Sequence, residues 1–480
     1  MNSTTTALRR TKIIATLGPA TDQNGVLSAV LAAGVDAVRL NFSHGSALDH
    51  QRRAAAVREI SQTLHKEVAI IADLQGPKIR ISRFAAESVQ LIAGQHFILD
   101  ASLAKDAGTV EQVGLDYPAL PTDVKPDDKL LLDDGRLVFN VLKIEGPRIY
   151  CNVLVGGKLS NNKGINRQGG GLTAKALTDK DKQDLITAIQ LGADYIAISF
   201  PRSASDIHEA QSLIKAANGT AGVIAKIERA EALDELDAII EAAAGVMVAR
   251  GDLGVEIGDA ALPEVQKWII NRARALDKPV ITATQMMETM IHNAIPTRAE
   301  VFDVANAVLD GTDAVMLSAE TASGEHPVLV VEAMARVCVG AESQRSTQVS
   351  KHRVECYFTK IEEVIAMSAM YAANHFAVKA IIALTESGAT PLLMSRIRSG
   401  IPIFGMTRNL STQRRISLYR GVYPVSCSVE FANIAQDDLR TTDILKKRGI
   451  VQTGDFVLVT HGDLAGEVDG TNTLRVLQVP

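Results

Sequence analysis

Two carboxylates, a lysine and two arginines sit at the ends of apolar runs in this chain, and their spacing suits metal and phosphate chemistry. In Ala225-Lys226-Ile227-Glu228 the charged residues alternate, so on a strand both point to one side. In Val246-Met247-Val248-Ala249-Arg250-Gly251-Asp252-Leu253-Gly254-Val255-Glu256 an apolar run enters a turn flanked by Gly251 and Gly254. Backbone N–H groups there can approach an anion closely, and Asp252 offers a hard oxygen ligand. Glu228 and Asp252, from adjacent strands, suit one Mg²⁺, which takes one or two carboxylates plus substrate oxygens and water. Lys226 is then placed to neutralise a transferring phosphoryl group. The competing reading is a plain ion pair of Lys226 with Glu228 at a rim.

A second group lies upstream. In Arg39-Leu40-Asn41-Phe42-Ser43-His44-Gly45, alternation puts Arg39, Asn41 and Ser43 on one side, and Asp73 closes the next run before Gln75-Gly76-Pro77-Lys78-Ile79-Arg80. Oxygens of Asn41, Ser43 and Asp73 suit a monovalent cation, while Arg39 and Arg80 suit phosphates. A hydrogen-bonded cap of the strand end is the alternative. Thr284, in Thr282-Ala283-Thr284-Gln285-Met286-Met287, is a proton relay or a satisfied loop hydroxyl, and His44 is a ligand or a spacer. The chain has no GxxxxGKS/T loop, no GxGxxG after a strand, no HExxH and no GxSxG. Phosphate chemistry here proceeds without a P-loop.

What positions these groups is a repeated unit. Eight short apolar runs end in polar residues: Thr11–Leu17, Asp36–Asn41, Val68–Asp73, Asp194–Phe200, Gly222–Glu228, Gly245–Asp252, Pro279–Thr284 and Asp313–Ser318. Helical patterns separate most of them, which predicts βαβ units and a parallel sheet. Eight units predict a (β/α)₈ TIM barrel, whose chemistry sits at the C-terminal strand ends. Those ends carry Thr16, Arg39, Asn41, Asp73, Ser199, Lys226, Glu228, Arg250, Asp252, Thr284, Ser318 and Glu320.

The repeat is broken once, by about a hundred residues after Asp73. Strands are predicted there at Arg80–Phe84, Val89–Leu91, His96–Asp100, Lys129–Leu132, Leu137–Ile144 and Ile149–Val155, which makes a small β-barrel lid. Thr178 is the expected N-cap of a helix over Lys180–Leu191 where the chain re-enters the barrel. After a polar linker, Ser343–Lys351, a second unit follows with helices at Ile361–His375, Pro391–Arg398 and Gln436–Lys447. Its strands are expected at Ala380–Leu384, Pro402–Met406, Asp455–Val459 and Leu474–Val479. The partition is a barrel over 1–75 and 171–345, a lid over 76–170, and a C-terminal open α/β domain over 346–480.

Bulk properties narrow the class. The 480 residues are 46% hydrophobic and 22% charged, with a net charge of −5, so no global field draws the chain to nucleic acid or anionic membrane. Four dispersed cysteines, Cys151, Cys338, Cys356 and Cys427, read as buried free thiols in a reducing compartment. No apolar run suits a bilayer span, and the start, Met1-Asn2-Ser3-Thr4 to Arg9-Arg10, lacks a signal-peptide core. The expectation is a cytoplasmic protein.

Seven motifs in order resemble the pyruvate kinase family: Lys12-Ile13-Ile14-Ala15-Thr16-Leu17-Gly18-Pro19-Ala20, Arg39–Gly45, Gly76–Arg80, Lys226–Glu228, Met247–Glu256, Ala283–Met287 and Met316-Leu317-Ser318-Ala319-Glu320-Thr321. The resemblance implies transfer of the phosphoryl group of phosphoenolpyruvate to ADP, giving ATP and pyruvate, the last substrate-level phosphorylation of glycolysis. It implies Mg²⁺ (or Mn²⁺) on Glu228 and Asp252, and Lys226 on the phosphoryl in flight. Arg39 and Arg80 would lie near the transferring phosphate. The Gly251 and Asp252 amides with Thr284 would hold the substrate carboxylate, and Thr284 and Ser318 would line the proton route. Asn41, His44, Arg80 and Lys163 would meet the nucleotide. The family's K⁺ site maps to Asn41, Ser43, Asp73 and the Leu74 carbonyl. K⁺-requiring members usually carry glutamate where this chain has Lys78, so a built-in ammonium is expected to weaken the K⁺ requirement. Thr385-Glu386-Ser387-Gly388-Ala389-Thr390 resembles the effector loop and implies a small phosphorylated allosteric ligand, or else an ordinary helix N-cap. Ala389, where a basic residue often binds fructose 1,6-bisphosphate, argues against that effector. The loop between Gly462-Asp463 and Gly470-Thr471-Asn472 also resembles a family loop. A homotetramer is the usual assembly. A metal-dependent lyase on a related barrel and an inactive ligand sensor are the competing functions; the sensor would have lost the lysine or carboxylates that this chain keeps.

Overall fold

The computed structural model describes residues 8–348, 352–353, 355–427, 434–462 and 470–480. Eight strands close a barrel: β1 (Lys12–Thr16), β2 (Ala37–Asn41), β3 (Ala69–Asp73), β4 (Tyr195–Ile198), β5 (Gly222–Ile227), β6 (Gly245–Ala249), β7 (Val280–Ala283) and β8 (Ala314–Leu317). All neighbours run parallel, and β1 pairs with both β2 and β8 to complete the ring. Each strand lies inside one of the eight apolar runs, because a parallel strand buried on both faces reads as an unbroken apolar segment.

Alternation decides what faces the mouth. Ile13, Val38, Ile70, Ala225, Ile227 and Val246 pack outward under the helices, while Ile14, Ala37, Ile71, Ala197, Ile224 and Met247 fill the interior. Continuing the inward register by two residues puts Arg39, Asp73, Ser199 and Lys226 inside the upper rim, with Glu228 a further two along. The interior cluster runs without a break into the C-terminal domain through Ile416, Leu418, Tyr419 and Val422, so that domain plugs the barrel floor.

The insertion folds as the expected small β unit. A six-stranded mixed sheet takes the order Ile165–Arg167, Lys129–Leu132, Leu137–Glu145, Arg148–Val155, His96–Asp100, Gln112–Gly114, and Ser88–Leu91 pairs with Gly157–Ser160. The strand expected at Arg80–Phe84 forms only isolated bridges, at Arg80, Ile81 and Phe84. Asp116 competes for its backbone: Arg80 N donates to the Asp116 carboxylate at 2.7 Å while Arg80 bridges Gly164. The chain returns through a helix at Asp179–Gln190 capped by Thr178, with a reciprocal box to Asp181. Asp181 is buried and does double duty: Oδ2 accepts from Thr178 N at 2.9 Å and Oδ1 accepts from Gly76 N at 3.0 Å.

The C-terminal domain is a five-stranded sheet in the order Val422–Ser426, Ile403–Thr407, Val378–Leu384, Phe456–Gly462, Thr471–Gln478, the last antiparallel. The expected linker is docked where it is described. A 3₁₀ turn at Arg345–Thr347 buries Thr347, whose carbonyl accepts from Arg10 Nη1 at 2.9 Å; residues 349–351 lie outside the described residues. Cys151, Cys338 and Cys427 are buried and Cys356 is exposed, where burial was expected of all four.

Candidate active site

Lys226 stands at the centre of the upper rim. Its Nζ lies 2.9 Å from Glu228 Oε1, 3.2 Å from Asp73 Oδ1, and donates to Ser199 Oγ at 2.6 Å. Ser199 passes the contact on, donating to the Leu74 carbonyl at 2.7 Å. Burial alone would lower the pKa of the ammonium, but Asp73 and Glu228 outweigh it and raise it. Asp73 is pushed up by burial, and Lys226 and Arg39 more than reverse this, leaving its carboxyl below the usual range. Arg39 reaches the same carboxylate from the other side, with Nε 2.6 Å from Asp73 Oδ2.

Glu228 is 2% exposed and accepts from Phe200 N at 2.9 Å through Oε2. Burial raises its pKa, Lys226 opposes, and the nearby charge of Asp252 adds to the rise. Two carboxylates close enough to repel, one buried and one at the mouth, are a donor pair that a hard dication would relieve. Among the described residues no group of three or more His, Cys, Asp or Glu side chains could hold a metal. The pair could supply two oxygen ligands to a divalent ion, with water and substrate supplying the rest.

Asp252 lies in the helix Arg250–Ile257, which starts directly after β6. Lys78 Nζ reaches Asp252 Oδ1 at 3.0 Å from the edge of the insertion. Gly251 N donates to Thr284 Oγ1 at 3.0 Å, and Thr284 Oγ1 donates to the Ala283 carbonyl at 2.7 Å. Thr284 and Gln285 both hold positive φ, 67° and 55°, a strained pair at the end of β7. Arg250 is what holds that turn. Its buried guanidinium donates from Nε to the Ala283 and Thr284 carbonyls at 3.2 Å and pairs with Asp303 at 2.7 Å. Sequence reasoning placed Arg250, Ser199 and Glu320 at strand ends without a role. Glu320 fixes the next turn, accepting from Ser318 N at 2.6 Å and Met287 N at 3.3 Å. Ser318 Oγ is buried and has no hydrogen-bond partner among the described residues.

A cavity of about 650 Å³ opens between rim and insertion, lined by Lys78, Gly251, Asp252, Thr284 and Ser318 below and by Gly135 of the insertion above. Arg80 and Lys163 are not gathered at the Lys226 cluster. Arg80 Nη1 donates to the Asn162 carbonyl at 3.0 Å, and Lys163 Nζ pairs with Asp133 at 2.7 Å. Asn41 turns its Oδ1 to Ser43 N at 3.1 Å, and the exposed His44 bonds back to the Asn41 carbonyl only through its backbone. In the 385–390 loop, Gly388 N donates to Thr385 Oγ1 and Ala389 N to Ser387 Oγ, Glu386 is held by Asn409, and Thr390 Oγ1 meets Thr471 Oγ1. Asp463 and its neighbours through 469 lie outside the described residues.

Two family models match the chain: "Pyruvate kinase, barrel domain" over residues 8–331 and "Pyruvate kinase, alpha/beta domain" over residues 363–477. The chain is 56% identical over 476 residues to "Pyruvate kinase II" of Salmonella typhimurium, covering 98% of this chain and 99% of the relative. It is 55% identical to "Pyruvate kinase" of Haemophilus influenzae with the same coverage. Against "Pyruvate kinase" of Geobacillus stearothermophilus the identity is 39% over 477 residues, 98% of this chain and 80% of the relative.

Proposed function

The chain belongs to the pyruvate kinase family, and from that membership we propose what its own residues do. It is a phosphotransferase that moves the phosphoryl group of phosphoenolpyruvate to ADP, giving ATP and pyruvate. The observation that supports the assignment of roles is Lys226 held among Glu228, Asp73 and Ser199 at the mouth of the barrel.

Glu228 and Asp252 would hold Mg²⁺ (or Mn²⁺), which supplies charge neutralisation to substrate oxygens when bound. Lys226 swings from its carboxylate partners toward the phosphoryl group as that group leaves the enol oxygen. Arg39, anchored on Asp73, presents its remaining N–H groups to the same phosphate. The Gly251 and Asp252 amides and Thr284 orient the substrate carboxylate. After transfer to the ADP β-phosphate, the enolate carbon takes a proton delivered along Thr284 and Ser318, which yields pyruvate. Phosphoryl transfer of this kind depends on positioning and charge neutralisation rather than covalent chemistry. Closure of the insertion would bring Arg80 and Lys163 from their present partners to the nucleotide, beside Asn41 and His44, and exclude water.

The partition into a barrel over 1–75 and 171–345, a lid over 76–170 and a regulatory domain over 346–480 belongs to this reading. So do a homotetramer, a cytoplasmic setting and a small phosphorylated effector at residues 385–390. The monovalent-cation site is assigned to Asn41, Ser43, Asp73 and the Leu74 carbonyl, with Lys78 replacing much of the ion's charge. The 3.0 Å contact of Lys78 with Asp252 supports this, since it puts an ammonium beside the metal-binding carboxylate. The test is ATP and pyruvate formation from phosphoenolpyruvate and ADP with Mg²⁺, with and without K⁺, against Lys226→Met. Turnover without K⁺ that is lost in the variant supports both assignments. Turnover only with K⁺ removes the role of Lys78, and turnover that survives Lys226→Met removes the role of Lys226.

A further inference from the structure

Positive charge is concentrated, and only partly neutralised, at the floor of the barrel, far from the site above. Arg274 comes from the helix Leu262–Ala275 of the barrel, and Arg396, Arg398 and Arg420 come from the C-terminal domain; Arg10 precedes β1. Two buried carboxylates face these five arginines. Asp313 is taken by both Nη atoms of Arg396, by Arg420 N at 3.0 Å and by Val280 N at 3.0 Å. Glu342 accepts from Arg10 N, Thr11 N and Thr11 Oγ1. Asp310 and Asp277 are the next acids; the oxygens of Asp310 are engaged by Lys267 and Gln266, and Asp277 pairs with Arg353 at 2.6 Å.

Arg10 Nε lies 3.7 Å from Glu342 Oε2, and the hydrogen bonds of the other three guanidinium groups go to neutral oxygens. Arg274 Nη2 donates to the Arg396 carbonyl, Arg398 to the Ser346, Leu309 and Asp310 carbonyls, and Arg420 Nη1 to Thr11 Oγ1 and the Val308 and Thr312 carbonyls. Arg420 is 8% exposed, and its Nη2 is buried with no hydrogen-bond partner among the described residues. A buried donor on a charged group without an acceptor is costly. Burial first, then the neighbouring arginines, lower the Arg274 pKa to about 9, with Asp313 only partly opposing.

These groups border a small cavity of about 20 Å³, lined by Arg274 and Gly311 on the barrel side and by Arg398, Ser399 and Arg420 on the other. That is about the room of one water-sized occupant.

We propose that a chloride-sized inorganic anion binds in this cavity, accepted by Arg420 and bordered by Arg274 and Arg398, and ties the C-terminal domain to the barrel floor. A neutral water would satisfy the Arg420 donor but leave the charge excess, whereas a halide satisfies both. The site is distinct from the cavity at the mouth and takes no part in phosphoryl transfer.

The test uses the full chain and two readouts. Crystals soaked in sodium bromide are expected to show an anomalous peak beside Arg420 Nη2. The thermal midpoint in sodium chloride should exceed that in sodium gluconate at equal ionic strength by roughly 2–4 °C and saturate with concentration. Arg420→Gln should remove the chloride-over-gluconate difference. Because Arg420 Nη1 also holds three oxygens, Arg274→Gln is the second variant, and it should shrink the same difference whatever its absolute midpoint. No bromide peak, or water alone in the cavity, overturns the proposal. So does a peak with equal midpoints in the two salts, which would mean an adventitious ion only.

Discussion

Lys226 and Glu228, two residues apart at the end of β5, form a 2.9 Å ion pair inside the barrel mouth. The pair is buried, so its partners matter more to each other than surface charges would. It also keeps Lys226 charged at the mouth of the barrel.

Lys226→Met should lower kcat by roughly 10³-fold or more, since it removes the charge proposed to act on the transferring group. It also leaves Glu228 buried without its cation, while Asp73 keeps Arg39. The variant should therefore melt earlier, and added Mg²⁺ should recover part of that loss. Steady-state kinetics and melting with and without Mg²⁺ check both; an unchanged kcat would remove Lys226 from the reaction.

Thr284→Ala should lower kcat by roughly 10²-fold, and Thr284→Ser should stay near the parent. The hydroxyl accepts from Gly251 N at 3.0 Å and so aligns the amides proposed for the substrate carboxylate. Equal losses in the two variants would point to the methyl group instead of the hydroxyl.

Lys78→Glu should make turnover depend on K⁺. It replaces the 3.0 Å cation partner of Asp252 with a like charge, which a monovalent ion must then offset. Activity without added K⁺ should fall by about tenfold or more and return on adding it. Loss that no monovalent cation restores would count against the cation assignment.

Glu256 sets a pH dependence of stability. Burial above all, with Glu231 adding, raises its carboxyl to about 7 against the Ala230 amide, Asn166 and Arg229. A carboxyl whose folded pKa lies above its unfolded value of about 4.3 binds more protons in the native state between those values. Stability is therefore lost as pH rises through that window, by on the order of 3 kcal/mol when complete. Glu256→Gln should gain on the parent between pH 5.5 and 8 in denaturant melts. Parallel profiles would show that Glu256 ionises normally.

Much of this was legible in the sequence because the barrel is made of buried parallel strands. Most, such as Ile13–Ala15 or Val246–Val248, are apolar runs that lead to a polar residue at the rim. Lys226 and Glu228 followed from a period of two. What was missed is short or non-local. Gln112–Gly114 and Ile165–Arg167 have three residues each, too few for a pattern, and Val422–Ser426 contains Pro424. The Lys163–Asp133, Arg250–Asp303 and Lys78–Asp252 pairs join residues far apart in the chain, and no spacing rule relates them. Arg80 closes the Gly76–Arg80 motif, and its partners Asp116 and Asn162 in the insertion were not legible from that motif.

Asp181 receives both Gly76 N and Thr178 N on one carboxylate, at the two points where the chain departs from and rejoins the barrel. The hundred residues between them are thus tied at both ends into one buried knot, besides the Lys78–Asp252 and Asn166–Glu256 contacts farther in. In terms of descent, such an insert can be lengthened, traded or lost while the ring of strands beneath keeps its register. Exchange of lids between related chains should succeed when the cut falls outside that knot and fail when it falls within.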